Sequence, residues 1–253
     1  MGNAVRPALN TMRILVISDI HANITAFQAV IQDAGKVDAT WCLGDVVGYG
    51  PDPNECVALL NSLPGLICLL GNHDAAALGE IDLAAFNRDA SLSSQWTQAA
   101  LTPENLAFLR SLPETLVNTQ VTLAHGSPRN PVWEYLLDTI TAASNFEFFS
   151  TPLCFVGHTH LPVAYIMDEK THYVDWRLMR HLKPFTFEAR TIINPGSVGQ
   201  PRDRDPRAAY AIFYPEKNLW EPYRVEYDIP SVQQRILDAG LPQRHALRLA
   251  DGW

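Results

Sequence analysis

Five short clusters of Asp, Asn and His residues follow apolar, strand-like segments along this chain. In order they are Asp19-Ile20-His21, Gly44-Asp45, Gly71-Asn72-His73-Asp74, His125-Gly126 and Gly157-His158-Thr159-His160. At average residue usage, one specified tetrapeptide is expected by chance on the order of once per 10⁵ residues. Chance is therefore a poor explanation of five ordered clusters of metal-ligand residue types.

The chemistry available to these residues is that of a metal centre. In open α/β sheets, functional groups collect beyond the carboxyl ends of the strands, where Asp19, His21, Asp45, Asn72 and His73 are all expected. A carboxylate can bridge two cations, and imidazoles with one amide oxygen complete a mixed nitrogen and oxygen sphere suited to Mn, Fe or Zn. Two such ions about 3.5–4 Å apart can share a hydroxide at neutral pH and clamp a phosphoryl group for in-line attack.

Taken singly, each cluster has a simpler interpretation. An Asp-x-His sequence is common where a strand ends before a helix, and most Gly-Asp pairs are turns. His125 alone fits a hydrogen-bonded histidine at a strand end. His158 and His160 at i and i+2 of a strand point the same way, but such pairs also occur on surfaces. The combination of the clusters in this order is what favours a metal site.

A regular rhythm of strands and helices is predicted to position the first three clusters. Strands are predicted over 13–18, 38–43 and 66–70, with helices over 22–34 and 54–62 between them. Alternation of this kind favours a parallel sheet covered by helices.

The rest of the chain changes character twice. Residues 75–110 are predicted to form two or three helices beside the sheet. A strand pair or a bent strand over 115–124 and a helix near 139–149 are predicted to follow. A mostly β region then precedes a last helix over 230–239. Its predicted strands are 152–156, 162–167, 172–176, 184–188, 190–193, 208–214 and 219–226.

Size and composition limit the classes of protein that this sequence can encode. The 253 residues are 47% apolar, which suits one large core, so we predict a single domain over 12–253 after a loose leader at 1–11. A net charge of −8 without a Lys/Arg stripe argues against a long nucleic acid as partner. No apolar run approaches the roughly 18 residues of a membrane-spanning helix, so no membrane partner is expected.

The four cysteines carry no metal or redox motif. Cys42, Cys68 and Cys154 lie in apolar runs, and no CxxC occurs. This pattern predicts small buried thiols in a reducing compartment, and hence a cytoplasmic location.

The ordered clusters resemble the motifs of the calcineurin-like metallophosphoesterase superfamily, and all five lie within residues 19–160. The segment Ile193-Asn194-Pro195-Gly196-Ser197-Val198-Gly199 is similar to the small bacterial-type branch, so the resemblance covers about 13–228. It implies an α/β fold, a four-layer α/β/β/α sandwich of the metallophosphoesterase type, here with a helical insertion near 75–110.

The resemblance also implies a role for each motif residue. One metal would be bound by Asp19, His21 and His160, the other by Asn72, His125 and His158, with Asp45 bridging them. His73 would lie near the phosphoryl oxygens and leaving group, and Asp74 would hydrogen-bond His73 and set its tautomer.

The activity implied is that of a dinuclear metal-dependent phosphoesterase that hydrolyses a small phosphate ester or anhydride by attack of a metal-bound hydroxide. Two divalent or mixed-valence ions are expected, with Mn or Fe favoured and Zn as the alternative. A phosphodiester is the favoured substrate, and the alternatives are a phosphomonoester, including a phosphoprotein, and a dinucleoside polyphosphate. A metal-binding scaffold without activity is disfavoured by the complete ligand set, and a nuclease would need a basic groove.

Several further residues have two interpretations each. Arg129 either reaches a substrate phosphate or is a solvated loop residue, and Tyr49 either stacks on an aromatic group at the site entrance or packs internally. Arg202, Arg204 and Arg207 either contact an anionic substrate or pair with Asp203 and Asp205. Trp133 and Tyr135 form a pocket wall or belong to the core. His172, His181 and His245 match no motif and are expected to be structural or exposed. The oligomeric state is left open.

Overall fold

The computed structural model of the protein describes residues 11–179 and 183–253. Nearly all of the predicted leader, residues 1–10, and His181 lie outside the described residues. The prediction of a single domain over 12–253 stays a prediction.

The described chain forms twelve strands and eight α-helices, in an order that agrees with the alternation expected from the sequence. The strands are β1 (Ile14–Ile17), β2 (Ala39–Cys42), β3 (Leu66–Cys68), β4 (Thr115–Val117), β5 (Val121–Ala124), β6 (Leu153–Phe155), β7 (Val163–Met167), β8 (Val174–Leu178), β9 (Phe185–Thr186), β10 (Thr191–Asn194), β11 (Ala208–Tyr214) and β12 (Leu219–Val225). The helices are α1 (Ile24–Ala34), α2 (Pro53–Asn61), α3 (Asn72–Ala77), α4 (Arg88–Ala100), α5 (Pro103–Arg110), α6 (Thr139–Asn145), α7 (Ile229–Asp238) and α8 (Gln243–Asp251).

Two six-stranded mixed sheets form the centre of the fold. The first has the order β3-β2-β1-β11-β12-β9, in which β1, β2 and β3 are parallel and the later strands add antiparallel. The second has the order β4-β5-β6-β10-β7-β8, with a parallel centre formed by β5, β6 and β10. The carboxyl ends of the parallel strands in both sheets lie beside the motif residues.

The apolar faces of the sheets explain why the molecule has four layers. Alternate residues of each strand face opposite sides, so β1 places Ile14 and Val16 between the sheets, with Phe155 and Trp220, and places Leu15 against the first helical layer. On the outer face of the second sheet, α6 packs over β6, β7 and β10. This arrangement confirms the predicted α/β/β/α sandwich. Each large apolar side chain that is fully buried stabilises the folded state by about 1.5–3 kcal/mol.

The segment near 75–110 is helical, as predicted, and local signals start its helices. Asn87 accepts a hydrogen bond from Ala90 N at the start of α4, and Thr102 accepts one from Asn105 N at the start of α5. Leu101 and Leu109 of this segment join the core under the first sheet.

The carboxyl end of the chain departs from the prediction, because a second helix, α8, follows α7. The break at Gly240-Leu241-Pro242 separates the two helices, and α8 buries His245, Ala246 and Leu249 on one face. The spacing of Ala246 and Leu249 within a polar segment was the available signal for an amphipathic helix.

Two global expectations can be compared with this fold. Cys42, Cys56, Cys68 and Cys154 are buried and unpaired, while the reducing, cytoplasmic compartment stays a prediction. Over the described ranges, no helix combines the length and the apolar character needed to cross a bilayer.

Candidate metal centre

The motif residues meet at the carboxyl ends of the parallel strands and in the loops that follow them. The backbone turns sharply there, with positive φ at Asp19 (55°), His21 (49°), Asp45 (55°), His158 (65°) and His160 (59°). Non-glycine residues seldom adopt this conformation, and strained residues of this kind concentrate at functional sites.

Asp19, His21 and His160 form the first of two compact groups, and their ligand atoms all lie within 4.8 Å of one another. His21 Nε2 lies 3.1 Å from His160 Nε2, and His160 Nε2 lies 3.3 Å from Asp19 Oδ1. All three side chains are buried.

The second group contains Asp45, His125 and His158, again within 4.8 Å, and Asn72 lies beside them. His125 Nε2 is 3.2 Å from both Asn72 Oδ1 and His158 Nδ1. These residues follow the ends of β2, β3, β5 and β6, with Asn72 as the first residue of α3, so four separate chain segments converge here.

Asp45 lies between the two groups. Its Oδ2 is 3.6 Å from His21 Nε2 and 3.3 Å from His125 Nε2, while its Oδ1 accepts a hydrogen bond of 2.9 Å from His73 N. The backbone N–H fixes one oxygen and leaves the other directed at both groups.

Backbone carbonyls orient all four histidines of the two groups. The outer ring nitrogens of His21, His125, His158 and His160 lie at hydrogen-bond distance from the carbonyl oxygens of Val47, Leu43, Trp133 and Gln200. Since a carbonyl only accepts, each outer nitrogen donates and the inner nitrogen presents a lone pair to the centre. Inner nitrogens 3.1–3.2 Å apart therefore face each other as acceptors.

Unpartnered carboxylate oxygens fit the same interpretation. Among the side chains of the described residues, Asp19 Oδ1 and Asp45 Oδ2 are buried without a hydrogen-bond partner. Buried polar atoms normally have partners, and a cation would satisfy these oxygens together with the imidazole lone pairs. The donor set of carboxylate, imidazole and amide oxygen fits Mn, Fe or Zn.

The electrostatics of the site also favour positive charge between the ligands. Burial raises the pKa of Asp19 to about 7 and lowers the pKa of His21, His158 and His160 well below its usual value. His125 differs: although burial disfavours its charged form, the Asp45 carboxylate raises its pKa to about 9. A divalent cation bound here would compete with that proton.

His73 lies beside the two groups with its ring at 5.0 Å from that of His21. Burial lowers the pKa of His73 to about 4, and within the described part of the chain its Nδ1 has no hydrogen-bond partner.

The hydrogen bond predicted between the His73 ring and the Asp74 carboxylate does not form within the described residues, so this prediction is wrong. Asp74 accepts hydrogen bonds from Val47 N and Gly71 N, each at 3.0 Å, because its place in the first turn of α3 directs it to these backbone donors. Asp74 thus joins the loops that carry Asp45 and His73. Gly71 is required in this packing, since a Cβ there would collide with Asp45 Oδ1.

The loop of Asn194 to Gly199 lies against the two loops that carry Asp19 and His158. Asn194 Nδ2 donates to Gly157 O, and Ser197 Oγ donates to Asp19 O at 2.8 Å. These bonds hold the two loops that carry Asp19 and His158.

The arginines expected near the site have different surroundings. Arg129 pairs with Glu134, and Arg207 pairs with Asp205, while Arg204 stacks on Trp253 at 3.8 Å. Arg202 is half-buried, and its guanidinium lies 5.8 Å from the ring centroid of Tyr49. Its charge lowers the pKa of His160, after the larger effect of burial, so it lies close to the centre. The sequence could not separate Arg202 from its neighbours.

Aromatic rings surround His73 and His158 on the side away from the sheets. Tyr49 lies 4.2 Å and Phe86 5.0 Å from the His73 ring, and Tyr135 lies 3.8 Å from the His158 ring. Tyr135 is exposed, so it does not belong to the core, and the half-buried Trp133 contacts Phe86. His172 is exposed and His245 is buried against Tyr49.

Comparison with known proteins places these motifs in one family. The model of the calcineurin-like phosphoesterase superfamily domain matches residues 12–218. The Methanocaldococcus jannaschii protein MJ0912 is 39% identical over 239 residues, which are 91% of this chain and 94% of that protein. The crystal structure of a metallophosphoesterase from Sphaerobacter thermophilus has a TM-score of 0.89 and 47% identity, covering 96% of this chain and 100% of that one.

A third similarity covers only part of the chain. The symmetrical bis(5'-nucleosyl)-tetraphosphatase of Proteus mirabilis is 28% identical over 130 residues, which are 49% of this chain and 47% of that protein.

Proposed function

Because the chain belongs to the calcineurin-like phosphoesterase superfamily and is a metal-dependent phosphoester hydrolase, we propose that it hydrolyses a small phosphodiester at a dinuclear metal centre. Asp19, His21 and His160 would hold one ion, and Asn72, His125 and His158 the other, with Asp45 between them. When bound, two such ions activate water at neutral pH and neutralise charge on the phosphoryl oxygens. Mn and Fe are the metals that we favour, with Zn as the alternative.

The observation that carries this proposal is the facing pairs of imidazole acceptors. His21 with His160, and His125 with His158, direct their inner nitrogens at each other across 3.1 and 3.2 Å, with their outer nitrogens held by backbone carbonyls. Facing acceptors repel unless a cation or proton lies between them, so the fold is preorganised to hold cations.

His73 supplies the acid–base chemistry in this proposal. Its ring adjoins His21, and burial lowers its pKa to about 4, so the neutral ring presents an N–H donor to a phosphoryl oxygen. To protonate a leaving alkoxide it would first take up a proton beside the bound phosphoryl group and return to the neutral form on giving it up. Asp74 acts at a distance, because it fixes the loops of Asp45 and His73 through the N–H groups of Val47 and Gly71.

Arg202 supplies positive charge beside the centre. It lies over Tyr49, and the described part of the chain offers it no carboxylate at ion-pair distance. A guanidinium in this place would bind a non-bridging phosphoryl oxygen, a role that fits its geometry better than that of Arg129, which is occupied by Glu134.

The alternative substrates are a phosphomonoester and a dinucleoside polyphosphate. The second alternative is supported by the partial similarity to a bis(5'-nucleosyl)-tetraphosphatase. A metal-binding scaffold without activity is disfavoured because every ligand position is filled and His73 is present.

The test is hydrolysis of bis-p-nitrophenyl phosphate and p-nitrophenyl phosphate by protein stripped of metal and reloaded with Mn²⁺. We expect Mn²⁺-dependent turnover that favours the diester, and the stripped protein is the control. A preference for the monoester would identify a phosphatase instead. A protein that binds metal but turns over neither compound would contradict the proposal.

A further inference from the structure

A cleft of about 310 Å³ lies beside the metal centre between the start of α4 and the helix α8. Its volume is at the lower end of the roughly 300–1,000 Å³ of small-molecule sites. Arg88 and Asp89 line it from α4, Arg244 and Arg248 from α8, and Tyr49 forms its inner wall.

The charge of this cleft is positive although the chain as a whole carries −8. The lining residues include three arginines, Arg88, Arg244 and Arg248, and a single carboxylate, that of Asp89. In the described structure, none of these three arginines forms an ion pair with a carboxylate. Arg248 is half-buried and is held by the backbone oxygen of Trp253.

The positive charges here are only partly compensated, by Asp89 and by the Trp253 oxygen that accepts a hydrogen bond from Arg248. Burial, with the nearby charges of Arg202 and Arg244, lowers the pKa of Arg248 to about 10. The Nε of Arg202 is buried and has no hydrogen-bond partner within residues 11–179 and 183–253. Buried N–H groups and clustered cations are both destabilising unless an anion binds them.

One aromatic ring separates this cleft from the metal centre. Tyr49 contacts His73 at 4.2 Å on one side and His245 of α8 at 4.9 Å on the other, and Arg202 lies over the same ring. Tyr49 is therefore the boundary that a molecule with one phosphoryl group at the metal centre would pass to place a second group in the cleft.

We propose that this cleft binds a second phosphate group of the substrate, with Arg248 and Arg244 as its principal contacts and Arg202 between the two subsites. The inference rests on the proposed function, and it narrows the substrate to phosphodiesters that carry a second phosphate group. Arginine suits this role because its planar guanidinium binds phosphate through two parallel N–H···O bonds.

The experiment compares three probes by calorimetry with the Mn²⁺-loaded protein: propane-1,3-bisphosphonate, propylphosphonate and 4-phosphonobutyrate. None contains a hydrolysable phosphoester, and the first differs from the others only in its second group. We expect the bisphosphonate to bind at least about tenfold more tightly than propylphosphonate. Equal binding of these two would overturn the subsite, and equal binding of 4-phosphonobutyrate and the bisphosphonate would overturn its assignment to phosphate.

Variants locate the effect. Arg244→Gln changes an exposed side chain and Arg248→Gln a half-buried one, and the double variant should lose most of the tenfold preference. The matched control is Arg110→Gln, which changes an exposed arginine of α5 that pairs with Glu80. This variant should keep the preference for the bisphosphonate. A double variant that keeps the full preference would refute the assignment.

Turnover of bis-p-nitrophenyl phosphate by the unmodified protein separates the two proposals. This compound has one phosphate, so its hydrolysis tests the metal centre alone. If the protein does not turn over this compound but still prefers the bisphosphonate, the phosphodiesterase proposal is rejected and the subsite is kept. If it turns over the compound but binds the bisphosphonate no better than propylphosphonate, only the subsite is rejected.

Discussion

At the scale of single residues, Asp45 is the side chain that both ligand groups share. Asp45→Asn keeps the shape of the side chain but removes the negative charge that would offset two cations in the proposed centre. We expect metal analysis to show loss of bound Mn²⁺ and the hydrolysis assay to fall to background. Asp175→Asn, at an exposed position of β8, is the matched control and should retain both. Full activity of Asp45→Asn would show that Asp45 does not bridge.

His73 differs from the other imidazoles of the site because its ring nitrogens are not directed at the ligand groups by a backbone carbonyl. His73→Gln should therefore leave the bound metal unchanged and lower kcat by about 10²–10⁴-fold, the usual contribution of an acid–base group. His172→Gln, at an exposed position, serves as control. If metal analysis shows that His73→Gln loses an ion, His73 is a ligand and its assigned role is wrong.

At the scale of elements, α8 is held to the molecule by its apolar face. Leu249 is 3% exposed and packs with Val232 and Ile236 of α7, whereas Leu247 on the same helix is 58% exposed. Leu249→Ala should lower the free energy of unfolding by about 2–5 kcal/mol, and Leu247→Ala should change it by less than about 0.5 kcal/mol. Urea denaturation measures both, and equal effects would mean that α8 does not pack as described.

The loop between β5 and α6 depends on Glu134, which accepts hydrogen bonds from Ser127, Arg129 and Asn145. The bond from Arg129 is the main cause that lowers the pKa of Glu134 from 4.5 to about 2. A lowered carboxyl pKa stabilises the fold above the unfolded value and loses that contribution as the pH falls through the folded value.

The expected result for Glu134→Gln follows from that sign. The variant should be less stable than the unmodified protein by about 1 kcal/mol or less above pH 4.5, since the pair is partly exposed. The difference should shrink as the pH falls towards 2. Urea titrations at several pH values measure it, with the exposed Glu169→Gln as control. A difference independent of pH would refute the ionic contribution.

At the scale of the whole molecule, cation binding and stability are linked, because the ligands converge from both sheets only in the folded state. Free Mn²⁺ at about 100 times its Kd should raise the free energy of unfolding by about 2.7 kcal/mol for one site. Thermal denaturation with and without chelator measures this, and Asp45→Asn should lose most of the response. A denaturation midpoint that does not change when Mn²⁺ is added would contradict a preformed metal centre.

The alternation of strands and helices and the helices near 75–110 followed from local patterns, because apolar periodicity depends on near neighbours. The four layers were expected only from the resemblance of the motifs to a known family. The sequence pattern did not predict α8, because this helix has few apolar residues. Their packing partners lie on α7 and α4, and only the fold brings these helices together. The partner of Asp74 was missed for a similar reason. The geometry of α3 turns this carboxylate to Val47, which is distant in the sequence.

The sequence by itself determined the types and the order of the residues around the centre and the strand ends that carry them. Only the tertiary structure decided which nitrogen of each histidine faces inward, since carbonyls of Leu43, Val47, Trp133 and Gln200 orient the rings from remote segments. It also decided that the Arg202 guanidinium lies over Tyr49 while Arg207 pairs with Asp205. Neighbouring arginines in one short segment are the same residue type, so the sequence cannot tell their surroundings apart. The direction of each side chain is set by contacts with parts of the chain that folding brings together.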